Sequence, residues 1–197
     1  RSVSAFLLNR SSDLEMLVMI PNTPTDDDVC RLNYSYKSKF RGSGFDGFTS
    51  DLIKLESDRV VKIPDDFNLH VSAFIELITV AYQGISKFEE ICTTPKDSLG
   101  VWGDGNLGFI TTLLLKEKYP QSKIIVFGKH QNNLDLFSFA DEIYRIHDVP
   151  DDLVIDHGFE CVGSSASQSA VDQIINLINP QGTISRSEER FSRNAET

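Results

Sequence analysis

The segment over residues 98–119 constrains the fold most, because it places a glycine-rich turn between an apolar strand and a helix. The turn reads GDGNLG over residues 103–108, which is the spacing GxGxxG. In that spacing the first glycine permits a tight turn, the second lets backbone approach a pyrophosphate, and the third lets the helix pack against the sheet. The N-terminus of the helix offers N–H groups and a positive dipole end to phosphates. We therefore predict a dinucleotide site, rather than an ordinary glycine turn, at Gly103, Gly105, Asn106, Leu107 and Gly108.

The residues around this turn alternate between short apolar strands and helical segments. Strands are predicted over 98–102, 123–127 and 153–159, with another beginning near residue 184. Helices are predicted from the turn to residue 119, over 133–139 and over 167–178. This alternation predicts βαβ units, and therefore an α/β fold with a doubly wound parallel sheet.

The part of the chain before residue 70 has a different pattern. Short apolar runs over 18–20, 48–55 and 60–63 are separated by turn formers, and they predict mainly β structure. From residue 71 onward, apolar residues recur at three- and four-residue spacing, which predicts an amphipathic helix over 72–86.

The end of the strand over 123–127 bears on which dinucleotide binds. NAD-binding chains usually place an acid there for the ribose 2′-hydroxyl, about twenty residues beyond the glycine motif. This sequence has Gly128-Lys129-His130 instead. A carboxylate would repel a 2′-phosphate, whereas Lys129 and His130 can pair with it, so the sequence favours NADPH over NADH. The alternative is that Lys129 is only a solvated loop lysine.

Composition argues against several partners and sites. The net charge of −10 and the scattered Lys and Arg residues argue against binding to nucleic acid. Three widely spaced cysteines, Cys30, Cys92 and Cys161, argue against a disulfide framework and favour a reducing compartment. No apolar run reaches membrane-spanning length and no signal-peptide pattern opens the chain, so we predict a cytoplasmic location. Cys161 follows an apolar strand, and we expect it to pack in the core rather than act as a nucleophile.

Several segments together resemble the medium-chain dehydrogenase/reductase family. They are GFDGF over 44–48, ELITV over 76–80, the GxGxxG turn, and ECVG over 160–163. The resemblance implies part of a GroES-like β catalytic domain over residues 1–85, although residues 1–17 show no clear pattern. It also implies a truncated Rossmann domain over residues 86–185, and we expect the loop over 162–164 to border the nicotinamide.

The family resemblance also implies a catalytic zinc ion. From the pattern alone, Glu76 is more often a solvent-facing helix residue than a metal ligand. In relatives that carry a glutamate at this position, however, it ligates the zinc or lies beside it, so Glu76 is the predicted metal residue. The cysteine and the His-Glu pair that complete the set in the family precede residue 18, and this chain has neither. We therefore expect the parent protein, and not this piece, to turn over, and we expect no structural zinc.

Within the family, residues 20–25, 102–108 and 127–129 resemble enzymes that reduce a phosphorylated ketose. The implied reaction is the NADPH-dependent, zinc-assisted reduction of D-ribulose 5-phosphate to D-ribitol 5-phosphate for wall teichoic acid. A homodimer and association with a cytidylyltransferase of the same pathway are implied partners. Two alternatives stay open: an NAD-dependent sugar-alcohol dehydrogenase of the sorbitol type, and a non-catalytic dinucleotide-binding module.

The last residues, RSEERFSRNAET over 186–197, break every pattern before them. The string is charged, has no apolar period, and matches an in-frame translation of a common DNA-sequencing adapter. We therefore interpret residues 186–197 as a non-native tail. Genomic DNA that encodes these residues after Ser185 would refute the interpretation.

Overall fold

The computed structural model describes residues 8–9, 16–19, 39–42, 44–49, 51, 53–55 and 57–186. The chain divides into two compact units, Arg1–Glu76 and Leu77–Thr197, and the boundary falls in the first turn of a helix. The predicted boundary between residues 85 and 86 stays a prediction. Within the described residues, no helix is long and apolar enough to cross a membrane.

The described residues of the first unit include short strands, a 3-10 turn (Ser57–Arg59) and a short helix. Strands β1 (Leu8–Asn9), β2 (Met16–Met19) and β5 (Val60–Lys62) form an antiparallel sheet in the order β1-β2-β5. A second pair, β3 (Phe40–Arg41) and β4 (Gly44–Phe45), is parallel. The predictions near 18–20 and 60–63 are confirmed, whereas the strand over 48–55 is wrong for the residues described there, which have no strand. Strand β1 lies in a segment whose sequence shows no clear pattern.

The predicted helix over 72–86 is two helices. A short helix, α1 (Leu69–Ser72), begins after Asn68, whose side-chain oxygen accepts hydrogen bonds from the backbone N–H groups of His70 and Val71. A longer helix, α2 (Ile75–Ile91), continues five residues past the predicted end. The reason is that the apolar stripe extends to Phe88, which is 1% exposed.

The second unit is built on a five-stranded parallel sheet. Its strands are β6 (Ser98–Trp102), β7 (Lys123–Gly128), β8 (Glu142–Arg145), β9 (His157–Glu160) and β10 (Ile184–Arg186). They lie in the order β10-β9-β6-β7-β8. Helix α3 (Asn106–Lys118) connects β6 to β7, and α5 (Ser167–Leu177) connects β9 to β10. The predicted α/β fold with a parallel Rossmann-type sheet is confirmed.

Three predictions in this unit need correction. The helix over 133–139 is a short helix, α4 (Gln131–Leu134), followed by a 3-10 turn, Asp135–Phe137. The strand over 153–159 begins only at His157, because Ile155 makes a single isolated bridge to Ile178. Strand β8 was missed, because its sequence EIYR mixes charged and apolar residues at a sheet edge.

Apolar side chains cover both faces of the sheet. On one face, buried residues of β6, β7 and β9 pack with α2 and α3 around Leu99, Val101 and Leu115. On the other face, Trp102 and Phe127 stack with ring centroids 4.0 Å apart and join the buried residues of α5. Because such interiors are close-packed, the positions of the strand ends follow from the core beneath them. The functional candidates lie at those strand ends.

Candidate dinucleotide-binding site

Two glycines of the turn are required by the packing of the chain itself. Gly103 has φ +136°, and a Cβ there would lie 2.8 Å from the carbonyl oxygen of Cys161. Its backbone N–H donates to the carbonyl of Phe127 at 2.8 Å, so the turn is tied to both neighbouring strands. At Gly108 a Cβ would lie 1.9 Å from the carbonyl oxygen of Gly103, and the start of α3 could not pack so closely. Both predicted roles, the tight turn and the close helix approach, agree with this geometry.

Gly105 has no such internal reason to be glycine. Its φ of −95° and ψ of −174° are extended backbone that any residue adopts, and a Cβ there would meet no atom within 4 Å. Gly105 caps α3, whose first residues are Asn106 and Leu107. The first N–H groups of an α-helix have no partner inside the helix, and they carry its positive dipole end. The open space at Gly105 therefore fits a phosphate brought close to backbone, as the second glycine of the motif requires.

The end of β7 is organised by Asp104, which the sequence analysis did not single out. One carboxylate oxygen, Oδ2, accepts from the backbone N–H of Lys129 at 3.0 Å and from that of His130 at 2.6 Å. The ring Nδ1 of His130 lies 3.0 Å from the same oxygen. Partial desolvation would raise the pKa of Asp104, but these hydrogen bonds outweigh it and lower the pKa below its ordinary value.

Gly128 shows why this strand end carries no acid. A Cβ at Gly128 would lie 2.6 Å from the side chain of Leu134 and 2.7 Å from the Cβ of Asp104. Position 128 is the last residue of β7, the position at which NAD-binding chains usually carry their ribose-binding acid. The predicted cofactor residues Lys129 and His130 follow it and are exposed. The structure thus brings them together with the glycine turn at the carboxyl edge of the sheet.

The end of β9 packs against the glycine turn. The backbone N–H of Cys161 donates to the carbonyl of Trp102 at 2.7 Å, and its thiol lies 3.6 Å from the hydroxyl oxygen of Thr111. Burial raises the pKa of the Cys161 thiol to about 12, which leaves it protonated and a poor nucleophile. This geometry agrees with the expected packing role.

Glu160, the last residue of β9, shapes the loop that follows. Its Oε1 accepts from the backbone N–H groups of Val162 at 2.7 Å and Gly163 at 3.1 Å, and Gly163 has φ +67°. Its Oε2 lies 3.8 Å from Nε of Arg186 and has no hydrogen-bond partner among the residues that the structure describes. The loop that we expected to border the nicotinamide is thus held by a buried carboxylate. The sequence offered only the resemblance of ECVG as a signal for it.

His157 is a buried structural residue. The backbone N–H of Thr183 donates to its Nδ1 at 3.0 Å, so the ring proton lies on Nε2, which donates to the carbonyl of Pro95 at 2.7 Å. Burial lowers the pKa of His157 below its ordinary value. The neutral ring therefore joins the segments before β6 and before β10.

Glu76, the predicted metal residue, is half-buried in the first turn of α2, and burial raises the pKa of its carboxyl group. Across the part of the chain that the structure describes, no three His, Cys, Asp or Glu side chains form a group that could hold a metal ion. Cys30 lies outside the described residues. Glu76 as a zinc ligand stays a prediction.

Comparisons with known proteins agree with the fold. No family model matches the chain. The ribulose-5-phosphate reductase of Bacillus spizizenii is 51% identical over 169 residues, which are 85% of this chain and 50% of that protein. The crystal structure of Staphylococcus aureus TarJ in complex with NADPH matches with a TM-score of 0.71 and 42% identity, over 86% of this chain and 47% of that one. The structure of an Escherichia coli alcohol dehydrogenase, rspB with NADH, matches in fold with a TM-score of 0.74 and 18% identity, over 91% of this chain and 58% of that one. The chain spans about half the length of the curated relatives it matches.

Proposed function

We propose a function from one premise: the chain belongs to the medium-chain dehydrogenase/reductase family and is homologous to its ribulose-5-phosphate reductases. The parent protein is an NADPH-dependent oxidoreductase that reduces D-ribulose 5-phosphate to D-ribitol 5-phosphate. The chain described here supplies the cofactor-binding part. By resemblance, the product serves wall teichoic acid synthesis.

The observation that carries the choice of cofactor is the end of β7. The position of the ribose-binding acid is Gly128, where the packing leaves no room for a side chain. Lys129 and His130 follow and can pair with a 2′-phosphate. The open backbone at Gly105 supports a pyrophosphate site beside α3.

In the proposed reaction, bound NADPH would supply hydride for the carbonyl carbon of the ketose. The carbonyl oxygen takes up a proton, and the products are the alcohol and NADP⁺. The residues described here would bind and orient the cofactor: the glycine turn would receive the pyrophosphate, and the loop held by Glu160 would border the nicotinamide. A zinc ion, with Glu76 as a proposed ligand, would polarise the carbonyl oxygen. Among the described residues, Glu76 belongs to no group of three His, Cys, Asp or Glu side chains that could hold such an ion.

The remaining proposals concern partners and location. A homodimer and association with a cytidylyltransferase rest on resemblance alone. The free thiols of Cys92 and Cys161 fit a reducing compartment, and we place the protein in the cytoplasm.

Cofactor binding is tested by titrating the chain with NADPH and with NADH, using energy transfer from its single tryptophan, Trp102. We expect tighter binding of NADPH, and we expect Lys129→Ala to raise the Kd for NADPH about tenfold while leaving that for NADH within about twofold. Lys123→Ala is the matched control, since Lys123 begins the same strand at its opposite end and pairs with Glu142 on the surface. Equal affinity of the wild type for both cofactors would favour the sorbitol-type alternative.

The reaction itself is tested on the recovered full-length parent, with ribulose 5-phosphate and either cofactor, with and without a zinc chelator. Chelator-sensitive oxidation of NADPH is expected. If NADPH binds and is not consumed, the activity assignment fails, and the non-catalytic binding module takes its place.

A further inference from the structure

We propose that Asp104 is a positioning residue of the 2′-phosphate subsite, which holds the Lys129–His130 turn in the arrangement that selects NADPH over NADH. This inference rests on the proposed function and deepens it. Asp104 lies between the first two glycines of the motif, where the spacing GxGxxG specifies no residue type.

A single carboxylate oxygen of Asp104 makes several hydrogen bonds. Oδ2 of Asp104 accepts from two consecutive backbone N–H groups, those of Lys129 and His130, and it meets the Nδ1–H of the His130 ring. The acceptor belongs to the turn after β6, whereas the donors belong to the turn after β7. One carboxylate therefore fixes the relative position of the pyrophosphate turn and the two basic residues.

The side chains of Asp104 and His130 differ in their exposure to solvent. The side chain of Asp104 is 14% exposed, whereas that of His130 is 62% exposed. The carboxylate thus lies beneath the basic residues, and its charge is directed toward N–H donors. A carboxylate that accepts several N–H bonds is stabilised in its charged form. Asp104 can therefore remain at this strand end without standing between the cofactor and the basic side chains.

Asp104 also limits which residue fits at position 128. The Cβ of Asp104 is one of the two nearest contacts that exclude a side chain at Gly128. With Asp104 in place, an acid at position 128 would require a shift of backbone or of two packed side chains. Asp104 therefore both holds the turn that bears the basic side chains and excludes the acid that would bind a 2′-hydroxyl.

The test compares substitutions that separate position from charge. Asp104→Ala removes the acceptor, and we expect the Kd for NADPH to rise about tenfold while that for NADH stays within about threefold, because two side chains lose their ordered positions. Asp104→Asn keeps an acceptor oxygen without the charge, and we expect the NADPH preference to stay within about threefold of wild type. Asp135→Asn is the charge control, because the side chain of Asp135 is exposed and accepts a hydrogen bond from the neighbouring Gln131 side chain.

The outcomes are distinct. If Asp104→Ala raises the Kd values for NADPH and NADH equally, Asp104 has a merely structural role. If both Asp104→Ala and Asp104→Asn bind NADPH as tightly as the wild type or more tightly, the carboxylate only repels phosphate. Either result overturns the inference. If Asp104→Ala does not fold, Asp104→Glu carries the test, because it keeps the charge and displaces it by one methylene. Asp104→Glu should lose the preference for NADPH over NADH. If it keeps the wild-type preference, Asp104 is not a positioning residue. A wild type that binds neither cofactor refutes the proposed function, and this inference with it.

Discussion

Alanine at Gly105 should weaken cofactor binding without harming the fold, whereas alanine at Gly108 should harm the fold itself. The contrast is specific because the two positions lie three residues apart in the same turn. At Gly105 the backbone is extended and a Cβ meets nothing within 4 Å, whereas at Gly108 a Cβ would lie 1.9 Å from a carbonyl oxygen.

The magnitudes follow from these contacts. For Gly105→Ala, the lower entropy of the unfolded chain stabilises by about 0.4–1 kcal/mol. The poorer helix cap costs a similar amount, so the free energy of unfolding should change by less than about 0.5 kcal/mol. For Gly108→Ala, the helix must move away from the sheet, which we expect to cost about 3 kcal/mol or more. In a domain of this size that lowers the Tm by about 6–12 °C.

The assay pairs thermal unfolding with fluorescence titration by NADPH. We expect Gly105→Ala to unfold at the wild-type temperature and to bind at least about tenfold more weakly, a loss of about 1.4 kcal/mol, because the methyl group occupies the space of the pyrophosphate. Wild-type NADPH affinity in Gly105→Ala would show that the phosphates do not approach this turn. A wild-type Tm in Gly108→Ala would refute the packing argument.

Three further predictions concern other buried groups and the strand end. Folding lowers the pKa of His157, so below pH about 6.5 the unfolded chain binds more protons than the folded one. The free energy of unfolding should therefore decrease as the pH falls through this range, by at most about 1.4 kcal/mol per pH unit. Denaturant titrations at several pH values should show a weaker dependence of this free energy on pH in His157→Gln. Cys92 is buried in the core and Cys161, whose thiol pKa is raised, packs against it, so neither should react with an aromatic disulfide reagent until the chain unfolds, which mass mapping of the labelled peptides would check. Gly128→Asp alone should destabilise the fold. Adding Asp104→Gly should recover part of that stability, because it removes one of the two contacts at position 128, and it should shift the preference toward NADH, measured as the ratio of the two Kd values.

The sequence predicted those elements whose residues share one environment along their whole length. Strands β6 and β7 are continuous apolar runs, and almost every residue in them is buried, so their bounds were predicted within a residue. Strand β8 lies at an edge and carries Glu142 and Arg145, so its short mixed pattern gave no signal. The end of α2 was missed because Ser86 interrupts the stripe, although Phe88 continues it.

The residues of the site also differ in how far they could be predicted from the sequence. The glycines were predictable because a turn is a local structure, with the motif, its strand and its helix all within one segment. Asp104 and His157 were not, because their partners lie 25 or more residues away in sequence. A side chain whose role depends on a distant partner leaves no periodicity and no spacing in its own segment.

The parallel register explains why these distant partners meet. Trp102 pairs with Phe127 across β6 and β7, so Asp104 and Lys129, each two residues further along, leave the sheet side by side. Trp102 also pairs with Glu160 across β6 and β9, which brings Cys161 against Gly103. Because parallel strands end at the same edge, each turn that follows them must accommodate the others. The contact between Asp104 and the Lys129–His130 turn is therefore a consequence of the register, which the sequence of either strand alone does not contain.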